Sequence, residues 1–127
     1  MRRMALATLF VLVGCDMGNN MEGNWEGECD ILYSGYQYRY DLDIDIDQDD
    51  GGDLSGSGEL SVYGYKLDGD IDGTRNGTDV DMTFEIVNSG YFVDIEMDGI
   101  KDGDSIEGDC TIKVYGYAMS GDLELDR

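Results

Sequence analysis

Three sets of residues have types and spacing that could do chemistry. The first is Asp68-x-Asp70-x-Asp72-Gly73 with Asp79 as the twelfth residue, which is the ligand spacing of a calcium-binding loop. Its surroundings argue otherwise: no helical period flanks it, and the alternation lays Asp68, Asp70 and Asp72 along one extended strand instead of curling them around an ion. The second set is the 29 Asp and Glu, from which carboxylate pairs for glycoside hydrolysis could be drawn almost anywhere, and that abundance strips any one pair of meaning. The third is the nine tyrosines, whose planar rings and polar tips suit a sugar, a planar small molecule or a peptide side chain. No His occurs in the 127 residues, so Ser-His and Cys-His pairs and imidazole metal sites are excluded. The chain reads as non-enzymatic, with no cofactor beyond a weak case for calcium.

The charge balance narrows the partners. Eight Lys and Arg against 29 acids give a formal charge of -21, which repels nucleic acid phosphates. The length allows one small domain. Nineteen glycines alone would suggest disorder, but the aromatic residues sit in regularly alternating segments that disordered chains lack.

Arg2 and Arg3 precede an apolar run, Met4 to Val13, that is too short to span a membrane as a helix and ends in Gly14 and Cys15. Leu12-Val13-Gly14-Cys15 resembles the lipobox of bacterial lipoproteins, which implies removal of residues 1–14, lipidation of Cys15 and a domain tethered outside the cytoplasm. The alternative is an ordinary secretory signal containing a cysteine. Asp16 resembles an inner-membrane retention signal of enteric bacteria, a sorting rule that other bacteria do not share, so which membrane carries the anchor stays open. Residues 15–24 then form the lipidated cysteine and a short tether, and residues 25–127 a single domain.

From Trp25 onward the pattern has period two, with breaks at dipeptides suited to tight hairpins. Eight strands follow, at about 25–33, 36–48, 52–62, 65–75, 78–88, 91–101, 104–114 and 117–126. Two-residue turns at Ser34-Gly35, Tyr63-Gly64, Asn76-Gly77, Ser89-Gly90, Asp102-Gly103 and Tyr115-Gly116 keep the apolar face continuous, and Asp49-Asp50-Gly51 supplies a three-residue link. Ser34-Gly35-Tyr36 recurs at 89–91 and Val62-Tyr63-Gly64-Tyr65 at 114–117, suggesting two four-strand meanders. One face of each strand is apolar and the other mostly acidic. Glycines on the apolar face permit the coiling that closes a sheet. The expectation is an all-β, eight-stranded antiparallel up-and-down barrel, with a sandwich as the alternative. A transmembrane barrel fails on charge, since its carboxylates would face either lipid or a crowded lumen.

Gly23-Asn24-Trp25 at the start of the first strand resembles the G-x-W of the calycins, the lipocalin and avidin group. The resemblance implies that a basic residue from the end of the last strand, here Arg127, lies across the tryptophan. The long first loop, the T-D-Y of lipocalins and a trailing helix are missing, so the shape is nearer avidin, but biotin-contacting residues are not matched.

Both cysteines that remain beside a lipidated Cys15 fall on the inward parity. Cys29 and Cys110 lie two strands apart, with Gly121 opposite Cys110, and the glycine leaves room for a disulfide across the intervening strand; two buried thiols are the alternative. Strand order collects the tyrosines toward the end away from the tether. Tyr33, Tyr36, Tyr38, Tyr40, Tyr65, Tyr91 and Tyr117 take the inward parity, as a pocket lining or as a plug. Leu32, Val87, Phe92, Tyr63, Tyr115, Arg39, Lys66 and Lys113 form a non-acidic rim available to a partner. The outer wall is expected to carry facing acids, through Glu28, Asp41, Glu59, Asp68, Glu85 and Asp94 in one belt and Asp72, Asp81, Asp98, Glu107 and Glu124 in another.

Two function classes follow. One is a lipid-anchored binding protein of the cell envelope that uses the tyrosine-rich, membrane-distal end for a small molecule or a protein. The other is an acidic barrel that captures cationic proteins, as lysozyme inhibitors do, or binds calcium through surface carboxylates.

Overall fold

The computed structural model describes residues 20–86 and 93–127. Eight antiparallel strands, β1 (Gly23–Tyr33), β2 (Tyr36–Gln48), β3 (Asp53–Val62), β4 (Tyr65–Asn76), β5 (Asp79–Ile86), β6 (Val93–Asp102), β7 (Ser105–Val114) and β8 (Tyr117–Asp126), pair in chain order, and β8 returns to β1 to close the barrel. Closure leaves no unpaired sheet edge. The alternation decides the faces: Trp25, Ile44, Leu60, Ile71, Phe84, Ile95, Ile112 and Leu125 are buried, while the Asp and Glu between them point outward. The interior is packed by the chain's own side chains, as a small barrel requires.

The three described upper turns hold the expected pairs, and the fourth, Ser89-Gly90, lies with Val87 outside the described residues. Ser34, Tyr63 and Tyr115 have φ of 53°, 50° and 49° and are each followed by a glycine of positive φ, the type I′ geometry that matches strand twist. Three lower links differ from expectation. Asn76 and Asp102 are still strand residues, and the turns are Gly77-Thr78 and Gly103-Asp104, with glycine at the first central position, φ 63° in both. The β2–β3 link runs from Asp49 to Gly52, and the Asp49 carboxylate accepts the N–H groups of Gly51 and Asp53 at 2.8 and 2.9 Å. Each change slides its pairing by two residues. Parity is blind to such a shift, because side chains stay on the same face.

The packed chain also begins before Trp25. Met21 is fully buried and its carbonyl accepts the indole N–H of Trp25 at 2.8 Å, so residues 20–24 belong to the barrel floor. Residues 15–19, with Cys15, lie outside the described residues.

The barrel is built of four hairpins, β1β2, β3β4, β5β6 and β7β8. Where one hairpin meets the next, an inward glycine is pressed against the neighbouring backbone: a Cβ at Gly27, Gly56, Gly73 or Gly108 would overlap the carbonyl oxygen of Glu124, Asp45, Asp81 or Asp98. Four corners result, one per hairpin junction. At the corner between β8 and β1 the Cys29–Cys110 disulfide crosses above Gly121, with Cα atoms 6.1 Å apart.

Candidate functional site

The end of the barrel away from Met21 and Arg127 is made of the upper hairpin tips. Tyr36, Tyr65 and Tyr117 each follow a turn glycine and are 69%, 73% and 73% exposed. They keep the inward parity expected of them but do not line a pocket. The reason is height: Tyr38, Tyr40, Leu67, Val114 and Met119 are partly buried against the core, and the tip residues stand above them with no described residue burying them. Tyr38 meets the ring of Tyr63 edge-on, centroids 6.3 Å apart, which helps to close the mouth. Burial, then the neighbouring Tyr63 and Tyr38, push the Tyr40 hydroxyl above the usual tyrosine pKa.

The tyrosines therefore form a convex crown. Leu32, Tyr33, Tyr63 and Tyr115 are also exposed there, and the described tip segments 33–37, 62–66 and 114–118 contain no acid. Tyr91 and Phe92, assigned to the same end by strand order, lie outside the described residues. The rim cations are tied down: Arg39 lies 3.0 Å from Glu28 and 3.2 Å from Asp30, Lys66 lies 3.9 Å from Glu59, and Lys113 pairs with Glu96.

The weak calcium candidates are not brought together. Asp68, Asp70 and Asp72 point outward at successive levels of β4, opposite Glu59, Ser57 and Ser55, and Asp79 starts the next strand opposite Asn76. No group of three or more acids or cysteines able to hold a metal ion occurs among the described residues. The extended strand that weakened the motif on sequence grounds also disperses its ligands.

The acid belts are partly re-sorted by the register shifts. Glu28 with Asp41, Glu59 with Asp68, Glu85 with Asp94, Asp81 with Asp98 and Glu107 with Glu124 face one another as expected, but Asp43 replaces Asp41 opposite Glu59, and Asp70 replaces Asp68 opposite Glu85. Cations also intervene: Arg39 faces Asp30 and Lys113 faces Asp94. The longest aspartate row among the described residues is Asp81–Asp98–Asp109–Asp122–Asp30 across β5, β6, β7, β8 and β1. In it Asp81 and Asp98 are directly paired, and a side-chain hydrogen bond to Asp81, followed by burial and by repulsion from Asp81, Glu96 and Asp109, raises Asp98 to about 6. Clefts of about 440 and 340 Å³ run along the outer wall beside the Gly58–Gly69 and Gly99–Gly108 pairs; acids line both and a tyrosine lines neither.

At the opposite end Arg127 lies 4.6 Å from the centre of the Trp25 ring and donates to the carbonyls of Asn20 and Glu22 at 2.6 and 2.9 Å. Two further cations repeat its position. The backbone N–H groups of Arg75, Lys101 and Arg127 each donate 2.8 Å to a carbonyl of the preceding lower turn, from Gly52, Thr78 and Asp104. Lys101 is 3% exposed and reaches the Gly103 carbonyl at 2.6 Å; burial, and then the charge of Arg127, lower its pKa. These three residues stand 26 residues apart, a spacing that marks the hairpin as the repeat unit.

Comparison with protein-family models found no match, and neither did comparison with curated proteins or with solved structures.

Proposed function

We propose that this chain is a non-enzymatic binding protein of the bacterial cell envelope, anchored by a lipid on Cys15, that recognises its partner with the tyrosine crown. The observation that carries the proposal is the contrast between the two ends: one is neutral, aromatic and exposed, the other receives the N-terminal segment and is pinned by Arg127. Anchoring at Cys15 would turn the crown away from the lipid. Because Asn20 and Met21 are already held in the floor, only residues 16–19 would separate the anchor from the barrel, a span of at most about 15 Å. The barrel architecture, Gly23-Asn24-Trp25 and the stacked Arg127 support a calycin-like assignment.

The re-sorted acid rows favour a second reading, in which the wall captures cationic proteins by charge. The experiment that separates the two uses photo-crosslinking in intact cells, with a photoreactive phenylalanine replacing Tyr65 in one strain and Asp81 in another. Crown recognition gives a discrete adduct from position 65 alone. Adducts from position 81 alone would favour the wall. Metabolic labelling with a clickable fatty acid, lost in Cys15→Ala, tests the anchor.

A further inference from the structure

The crown has the composition and rigidity of a protein-recognition surface. Its described tips read Tyr33-Ser34-Gly35-Tyr36, Tyr63-Gly64-Tyr65 and Tyr115-Gly116-Tyr117, an alphabet of tyrosine, serine and glycine. Those residues recur in paratopes for a physical reason: tyrosine supplies wide amphipathic contact with only two side-chain torsions to freeze, while serine and glycine adapt to the partner's polar groups. Paratope loops are often mobile. Here the tyrosines sit on type I′ hairpins whose strands are fixed in a closed barrel, so little ordering cost remains on binding.

The charge around the crown restricts what can dock. About 10 Å below the tips, three residues down from the pairs Tyr33–Tyr36 and Val62–Tyr65, the outer wall carries Asp30, Glu59 and Asp68, with Glu85 and Asp94 on β5 and β6. The cations nearest the tips, Arg39, Lys66 and Lys113, pair with Asp30, Glu59 and Glu96 and offset part of that charge, and Asp68, Glu85 and Asp94 leave the collar net acidic. A partner seated on the tyrosines therefore meets a neutral aromatic centre inside an acidic collar. Anionic lipid headgroups and polyanions would be repelled by that collar, and a second copy of this chain would bring like collars together.

We infer that the occupant of the crown is a protein surface with an apolar centre and a basic margin. The inference rests on the proposed crown function and adds the chemistry of the partner. It is tested by panning the full chain, purified in detergent, against a display library of random linear peptides, and by re-measuring the enriched peptides on a variant carrying Tyr36→Ser, Tyr65→Ser and Tyr117→Ser. The expected result is enrichment of peptides with Lys or Arg flanking aromatic or aliphatic residues, binding that weakens with added salt, and at least roughly a tenfold loss on the variant. Enriched peptides that are neutral or acidic yet depend on the crown would overturn the inference and leave the crown function standing. Basic peptides that bind the variant as well as wild type would overturn both. Failure to enrich any peptide overturns the inference, as does tyrosine-dependent binding to phosphatidylcholine vesicles in its place, which would make the crown a membrane contact.

Discussion

Arg127 closes over Trp25, its guanidinium 4.6 Å from the ring centre, and in the same pose it holds the carbonyls of Asn20 and Glu22 and the carboxylate of Asp104. One side chain thus ties the start of β1, the N-terminal segment and the β6–β7 turn together. Arg127→Met is expected to lower stability by about 1–3 kcal/mol, the sum of a cation–π contact and charge-assisted hydrogen bonds. Arg127→Lys should recover only part of that, since an ammonium cannot stack and fork at once. Equal chemical-denaturation midpoints for Arg127→Met and wild type would contradict this role.

The Cys29–Cys110 bridge spans 81 residues of sequence and crosses a strand that has no side chain beneath it. Replacing both cysteines by Ala should cost about 2–5 kcal/mol, read from urea unfolding. Gly121→Ala should destabilise by a different route, because its Cβ would overlap the Asp30 carbonyl, and the loss should persist in the cysteine-free background. Recovery of Gly121→Ala in that background would show that the disulfide, and not the neighbouring strand, demands the glycine.

Asp98 supplies a pH dependence of stated sign. Its folded-state pKa of about 6 stands above the ordinary 3.8, chiefly because it shares a hydrogen bond with Asp81. The folded state therefore binds this proton more tightly than the unfolded chain does. The resulting stability is complete below 3.8 and is lost as pH rises through about 6. Asp98→Asn keeps a hydrogen-bonding group without the charge, so its melting temperature should gain on wild type as the pH is raised from 4 to 7. A difference between the two proteins that stays constant over that range would remove Asp98 as the titrating group.

The aspartate row through Asp109 and Asp122 places like charges on directly paired residues, and each such pair destabilises by roughly 0.2–1 kcal/mol. Sodium chloride should raise the melting temperature as the screening length contracts from about 10 Å at 0.1 M toward 3 Å at 1 M. Calcium should act only as a screening ion, since no group of three described acids converges on a point. A saturating, micromolar calcium effect would mean that the carboxylates do gather around an ion.

Period-two patterning made the barrel legible, because an acidic face and an apolar face leave each strand one way to point. The disulfide and the Arg127–Trp25 stack followed from parity, from Gly121 opposite Cys110 and from the calycin resemblance. The lower registers were not legible, because Asn76-Gly77 suits a type I′ turn as well as its glycine suits the first position of a type II′ turn, and both keep Arg75 inside. A signal that would have helped is the 26-residue spacing of Arg75, Lys101 and Arg127, which aligns Gly77 with Gly103. The exposure of the tip tyrosines was not legible for a different reason. Parity says which way Tyr36, Tyr65 and Tyr117 point but not whether any wall stands opposite them, and above the Tyr38 and Tyr40 layer they are exposed, with none among the described residues.

The central claim, that the crown exists for recognition, is tested most directly by measuring stability and affinity on one variant, Tyr36→Ser, Tyr65→Ser and Tyr117→Ser, against the cross-linked partner or the peptides selected on wild type. Exposed side chains away from the core contribute little to folding, so the unfolding free energy should stay within about 1 kcal/mol of wild type. Affinity should fall by at least roughly tenfold, since desolvated aromatics carry most interface energy. A variant that unfolds much more easily would make the tyrosines a structural cap, and one that binds as wild type does would contradict the account.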